Sequence, residues 1–379
     1  MIPLSIPHLD GNEWTYVKDC LDTGWVSTAG AYVGKFEAAI AEYTGSRYAI
    51  SCMNGTAGLH TAMNLLGIGA GDYVIAPNLT FVATLNAIAY TKAEPLLIDI
   101  DPHSWQLDLP LLQGWLEQST YTQDGVCYLK EDDRRIAAIM PVHVLGNMCD
   151  MDHLLQLAET HHLPVIEDST EALGTTYRGQ HAGTFGVFGT SSFNGNKIIT
   201  TGGGGMLFTQ DESAAARAKH LTTTAKTDPL DYFHDEVGYN YRLVNVLAAI
   251  GLAQMEQLPG LITRKKHMDA FYRDRLSGVG DISFQQVTEG VDPNCWLFTF
   301  RTNRMRELLG FLNDRGVQSR PFWTPMNQLP MYRELRYVSN NHHATQVHAT
   351  AISIPSSSGL TDEQLVEVVD TIEAFYANH

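Results

Sequence analysis

The sequence predicts an α/β fold: a mainly parallel central sheet with helices on both faces, followed by a smaller C-terminal α+β domain. Three observations predict it. From Tyr48 onward, short apolar runs alternate with helical runs of about 10 to 15 residues, the pattern of parallel strands joined by crossover helices. Residues suited to chemistry fall where those strands end, which is where open α/β sheets bind ligands. Past Ser277 the rhythm changes.

Taken in order, "RYAISC" reads as a strand and "GTAGLHTAMNLL" as a helix opening on Gly-Thr. "DYVIAP" is a strand, "TFVATLNAIAY" a helix and "EPLLIDI" a strand. "RIAAIMPVHV", "DMDHLLQLAETHH" and "LPVIEDS" give strand, helix and strand, and "GGGGMLFT" a further strand. A helix is expected from Glu212 to Leu221. The stretch from Thr222 to Arg242 reads as a long polar and aromatic loop, and loops of that length usually have a task. "LVNVLAAIGLAQMEQL" and "GLITRKKHMDAFYRDRL" read as two helices, the second amphipathic. The smaller domain then brings a strand ("CWLFTFRT") and two helices ("MRELLGFLNDRG", "TDEQLVEVVDTIEAFY"). The expected domains are 1–277, with an N-terminal arm, and 278–379.

The 379 residues are 44% hydrophobic and 18% charged, as in a globular protein with a large core. No apolar run approaches about 20 residues, so no membrane-spanning helix is expected. The start lacks the basic and apolar regions of a signal peptide. Five scattered cysteines suit reduced thiols in a cytoplasm. A net charge of −17 argues against nucleic acid and anionic membranes as partners, though helix N-termini could still hold a small anion locally.

Three strand ends carry candidate chemistry. "NGTAGLH", Asn54 to His60, places Gly55, Thr56 and Ala57 at a helix start. Exposed backbone N–H groups and a hydroxyl there form a phosphate-sized anion site, or simply an ordinary capped helix. In "VIEDSTEALG", Asp168 ends a strand and Glu171 follows three residues on. A carboxylate there can bond a protonated heteroaromatic nitrogen, or only cap the next turn. In "SSFNGNKIITTGGGG", Lys197 precedes four glycines. It is either a solvated loop lysine or a nucleophile whose pKa is lowered by burial. A P-loop is excluded, because Ile198 stands where Ser or Thr is required. Together the three match the needs of pyridoxal 5'-phosphate (PLP): an anion site for the phosphate, a carboxylate for the pyridine nitrogen and a lysine for the aldehyde. Phe81, at a further strand end, offers a ring to stack on the cofactor. Of the histidines, His343 and His348 are spaced off one helical face and read as solvated or sugar-facing residues, and no metal site is expected.

The chain resembles the DegT-type sugar-nucleotide aminotransferases, which are PLP enzymes of fold type I. The resemblance rests on "DTGWVSTAGAYVGKFE", "NGTAGLH", "TFVATLNAI", "IEDSTEALG", "SFNGNKIITTGGGG" and "GYNYRLVNVLAAIGLAQMEQL". Further segments ("HLTTTAK", "FHDE", "RPFW", "PSSSGLT") resemble the LegC-like branch, which implies amination at C4 of a nucleotide-linked 4-keto-6-deoxy-2-acetamido sugar for legionaminic-acid or bacillosamine-type glycans. The resemblance implies Lys197 as the Schiff-base lysine and Asp168 as partner of the pyridine nitrogen. It implies Gly55, Thr56, Ala57 and Ser192 around the phosphate, Phe81 on the ring and Glu171 beside the cofactor. Asn240 would reach the phosphate of a second subunit, making a homodimer with shared sites. L-glutamate is the implied donor. Trp25, Lys226, His234 and Arg320 are the sugar-pocket candidates. The four glycines would let backbone pass close to the cofactor and the sugar nucleotide.

Three departures stand out: Glu171 where the family carries Gln, Gly203 where much of it carries Glu, and Asn327 where relatives often carry His. Two other readings are a PLP-dependent sugar dehydratase, whose relatives carry His at the lysine position, and a regulatory protein that keeps the fold without turnover.

Overall fold

A computed structural model describes residues 1–228 and 230–377. Pro229, within the expected loop, and positions 378 and 379, at the end of the expected small domain, lie outside the described residues.

The central sheet has seven main strands: β1 (Tyr48–Cys52), β2 (Tyr73–Pro77), β3 (Glu94–Ile98), β4 (Ile136–Ile139), β5 (Ile166–Asp168), β6 (Phe188–Ser192) and β7 (Gly205–Thr209). Their spatial order is β3-β2-β4-β5-β6-β7-β1, with β4 joined to β5 through the parallel bridges Ile139–Val165 and Val142–Asp168. All run parallel except β7, which is antiparallel to both neighbours. The reason lies in the connections. After α1 (Glu13–Thr23) and α2 (Ala31–Thr44), helices α3 (Gly55–Leu65), α4 (Ala83–Tyr90), α5 (Leu109–Ser119) and α6 (Met151–Thr160) cross over between parallel strands, and α7 (Glu212–Thr222) follows β7. Between β6 and β7 there is no helix, only the Lys197 loop, and a short return makes an antiparallel pair. β2 is buried along its whole length, as a strand covered on both faces must be.

Elsewhere the structure departs from expectation. The two helices expected after Arg242 are one, α8 (Asn245–Leu276), which runs through Pro259. Proline there removes one helical hydrogen bond. Leu258, Leu261 and Ile262 around it are buried in the core, and their packing holds the helix together. By length and composition alone α8 would also pass as a membrane span, a test that buried core helices meet as well. In the fold it packs against α1 and α2 and buries Gln254 and Lys265. The expected loop 222–242 holds a small hairpin, Lys226–Asp228 with Phe233–His234.

The end of α8 at Leu276 falls beside the expected domain boundary, but the chain crosses it in both directions. Tyr337–Val338 adds a parallel strand outside β3. Ile2 pairs with Val317, so the N-terminal arm joins the later sheet formed by Ser283–Phe284, Thr299–Arg301, Ala351–Ser353 and Arg320–Pro321. His343 and His348 share the helix His343–Thr350. Asp99 accepts from the His343 N–H, and His348 Nδ1 lies 2.9 Å from the Phe322 carbonyl. All five cysteines are free, and four are buried.

Candidate active site

Parallel strands deliver their C-terminal ends to one edge of the sheet, and a cavity of about 500 Å³ opens there. Asn54 after β1, Thr80 and Phe81 after β2, Asp168 ending β5 and Ser192 ending β6 all line it.

Asp168 is 3% exposed and firmly oriented. Thr84, in the first turn of α4, donates to Oδ2 at 2.7 Å, and the Thr170 N–H donates to Oδ1 at 3.2 Å. The Thr80 hydroxyl lies 2.7 Å from that of Thr84, so the carboxylate sits at the end of a hydroxyl chain. The Asp168 main chain is fixed as well, with its N–H on Pro141 and its carbonyl accepting from His143.

The start of α3 forms the polar end of the cavity. Asn54, rather than Thr56, is its N-cap: Oδ1 accepts from the Ala57 N–H at 2.8 Å. The Ala57 N–H is engaged within the protein, and Ala57 does not line the cavity, whereas Gly55, Thr56 and Ser192 do. Gly55 and Thr56 are the first two residues of the helix, whose N–H groups have no helical acceptor.

Within the glycine run, Gly203 and Gly204 line the cavity, and Gly205 serves the fold. A Cβ on Gly205 would lie 2.4 Å from the Asn54 carbonyl carbon, so this glycine lets β7 pass against the start of α3. Gly202 has φ +80° and turns the chain. Gly203 lines the cavity and faces open space, where a side chain would fit.

Lys197 projects into the cavity with 13% of its side chain exposed. Nζ is 3.7 Å from Glu171 Oε1 and 3.9 Å from the centroid of the Trp296 ring. Burial lowers the lysine pKa, and the charges of Glu171 and Asp168 oppose the shift. Burial raises Glu171 to about 7, opposed by Lys197 and by the Leu145 N–H, which donates to Oε2 at 2.8 Å. Both groups are thus pushed towards their neutral forms, and Glu171 carries only part of a negative charge near neutral pH.

The opposite wall comes from the chain after α8 and from the N-terminal arm, through Trp296, Leu297, Phe322, Trp323 and Leu4. Phe322 and Trp323 stack at 4.6 Å. Phe81, 54% exposed, stands edge-on to Trp323 at the mouth. Among the sugar-pocket candidates Arg320 lines the cavity. Trp25, Lys226 and His234 do not line it within this chain. Trp25 is 57% exposed, Lys226 lies over the Tyr232 ring, and His234 bonds the Thr224 carbonyl. Asn240 is exposed and forms a bridge with Thr223, away from the cavity of its own chain. Asn327 makes a reciprocal pair with Asn78 and does not line the cavity. Sequence reasoning missed Thr84 and Trp296. Thr84 had a signal, since it follows Thr80 by one helical turn in "TFVATLNAI". Trp296 had none, because it lies far along the chain in a segment read only as a strand.

An amine, a buried carboxylate and a cluster of N–H and hydroxyl donors within one cavity fit PLP. Relatives agree. The chain is 37% identical over 380 residues to the GDP-perosamine synthase of Escherichia coli O157:H7, covering 100% of this chain and 99% of that protein. It is 36% identical to the GDP-perosamine synthase of Caulobacter vibrioides, covering 98% and 97%. A Streptococcus pneumoniae protein solved in its PLP form has the same fold, with a TM-score of 0.88 at 24% identity, covering 100% of this chain and 99% of that one. Residues 7–373 match the model of the DegT/DnrJ/EryC1/StrS aminotransferase family. The chain belongs to that family and is a PLP-dependent aminotransferase.

Proposed function

We propose that this enzyme moves the amino group of L-glutamate to the C4 ketone of a nucleotide-linked 4-keto-6-deoxy sugar. The observation that carries the reading is the convergence of Lys197 Nζ, the Asp168 carboxylate and the start of α3 on one cavity.

PLP supplies the electron sink and the carbon at which the amino group is exchanged. Asp168, oriented by Thr84 and Thr170, would accept a hydrogen bond from the pyridine nitrogen. Gly55, Thr56 and Ser192 hold the phosphate, with Ala57 contributing less than its place in the motif suggests. Lys197 carries the proton shuttled in each half of the reaction, a role typically worth about 10²–10⁴-fold. Its lowered pKa supplies the neutral amine that accepts the proton. Glu171 replaces a neutral side chain of the family but stays partly protonated, which limits the negative charge it adds beside the cofactor. Phe81 would cover the cofactor ring, and Phe322 and Trp323 would exclude water.

Two acceptors compete. The end-to-end match to GDP-perosamine synthases favours a GDP-linked sugar. The LegC-like segments favour a 2-acetamido sugar for legionaminic-acid or bacillosamine-type glycans. Incubation with glutamate and a panel of UDP- and GDP-linked 4-keto sugars, followed by mass spectrometry, separates them. No amination of any member would overturn the reading.

The enzyme works in the cytoplasm as a homodimer, with Asn240 and the loop before it completing the partner's site; Trp25, Lys226 and His234 act there too, while Arg320 serves its own chain. The exposure of Asn240 supports this arrangement. Lys197→Ala and Asn240→Asp chains, each inactive alone, should regain part of the activity when mixed. Hybrids that form without activity would assign Asn240 to its own chain. The division at Ser277 is kept as a domain boundary crossed by the Tyr337–Val338 strand and the N-terminal arm.

A further inference from the structure

The wall opposite Lys197 is built with unusual care around one ring. Trp296 is 3% exposed and held at three points. Its N–H donates to Asn294 Oδ1 at 3.1 Å, and its carbonyl accepts from Lys265 Nζ at 2.8 Å. Its Nε1 donates to the Asn196 carbonyl at 2.6 Å. Asn196 immediately precedes Lys197, so the indole is bonded to the loop that carries the lysine. Ser5 Oγ donates to the same carbonyl at 3.2 Å. The ring and Lys197 Nζ are therefore kept in register, 3.9 Å apart, well within the range of a cation–π contact.

We propose that Trp296 is a further catalytic residue, whose indole face holds the Lys197 ammonium whenever that nitrogen carries its proton and so sets the proton affinity of the amine. The proposal rests on Lys197 being the working lysine. The groups facing Nζ are Glu171 at 3.7 Å, with Asp168 and Arg320 in the same cavity; Lys265 bonds the Trp296 main-chain carbonyl. The carboxylates also favour the ammonium, but neither can do so without being charged itself. The indole quadrupole needs no ionisation and acts at every pH. It therefore stabilises the protonated amine most where Glu171 is protonated and contributes least.

The test uses the full-length enzyme in its PMP form, where Lys197 is a free amine. Acylation of Lys197 by acetic anhydride is followed across pH by peptide mass spectrometry, which gives the midpoint of its titration. Tryptophan at position 296 is replaced by 5-fluoro-, difluoro- and tetrafluorotryptophan, which weaken the ring's negative face with little change in size. The midpoint should fall stepwise with fluorine number, by about half a pH unit or more for the tetrafluoro ring. The acid limb of the turnover profile should move with it. A midpoint that stays in place, or rises, overturns the proposal and makes Trp296 only a wall. Borohydride reduction of the PLP form and peptide mapping test Lys197 independently. A pyridoxyl adduct on another lysine would defeat the reading of the site rather than the role of the ring.

Discussion

Lys265 is buried, 3% exposed, and Lys197 is half-buried, with 13% of its side chain exposed. Burial lowers the pKa of each, to about 7 for Lys265. Their surroundings differ. Lys197 has a carboxylate at 3.7 Å, an indole face and open cavity in front of it. Lys265, in the middle of α8, donates to the carbonyls of Trp296 and Ser356, with no carboxylate among its hydrogen-bond partners. It ties α8 to two segments of the later sheet and leaves no room for a reactant. A lowered lysine pKa therefore does not identify chemistry by itself. The company of the amine does: one lysine faces a cavity and a base, the other serves as a strut.

The comparison breaks first at Lys197. Lys197→Ala should cut transamination by about 10⁴-fold or more while the fold survives, since the side chain ends in a cavity rather than in packing. Turnover with glutamate and thermal melting measure the two effects, and a variant with near-normal turnover would make Lys197 another strut.

Asp168→Asn comes next. The amide keeps the shape but loses the charge, so the half-reaction with glutamate should slow by roughly 10²–10³-fold, read by stopped flow. A rate close to wild type would remove Asp168 from the company that distinguishes Lys197.

Lys265→Met should show the opposite split, with turnover lowered by less than about tenfold and the main effect on stability. The sign is set by linkage. Lys265 has a folded pKa of about 7, below the ordinary lysine value of 10.5, so from pH 7 upward the unfolded chain binds more protons than the folded one. Stability should therefore rise with pH across that window, with a slope approaching ~1.4 kcal/mol per pH unit. Denaturant melts between pH 7 and 9.5 should show the wild type gaining on Lys265→Met. Parallel profiles would mean that Lys265 does not titrate there.

The smallest effect is expected at Glu171, whose folded pKa of about 7 lies above the ordinary glutamate value of 4.5. The folded protein holds a proton that the unfolded chain releases, so this contribution to stability is present below pH 4.5 and lost as pH rises to 7. Glu171→Gln should flatten that decline. An unchanged profile would place the proton elsewhere in the Lys197–Glu171–Asp168 cluster.

Much of the site was legible because its parts follow local rules. Asp168 ends an apolar strand, Thr56 opens a helix and Lys197 sits before glycines, and alternation of strand and helix sends such positions to one sheet edge. The glycines divide: Gly203 and Gly204 line the cavity, whereas Gly205 serves the packing of the fold. Gly205 meets the protein's own backbone at Asn54, a contact between segments far apart in sequence. The Ala57 N–H, read in the sequence as a phosphate donor, is met by Asn54 Oδ1, which caps the helix from three residues away.

The sequence by itself determined the alternating strands and helices and the identity of the amine and carboxylate that meet at their ends. Periodicity and turn chemistry are properties of neighbouring residues, and they act before any distant contact forms. Only the tertiary structure decided that Trp296 would face Lys197, that Lys265 would brace it and that Glu171 would hold a proton near neutral pH. Each of these depends on which remote segments exclude water from a side chain. A desolvated charge then answers to its new neighbours rather than to its place in the chain.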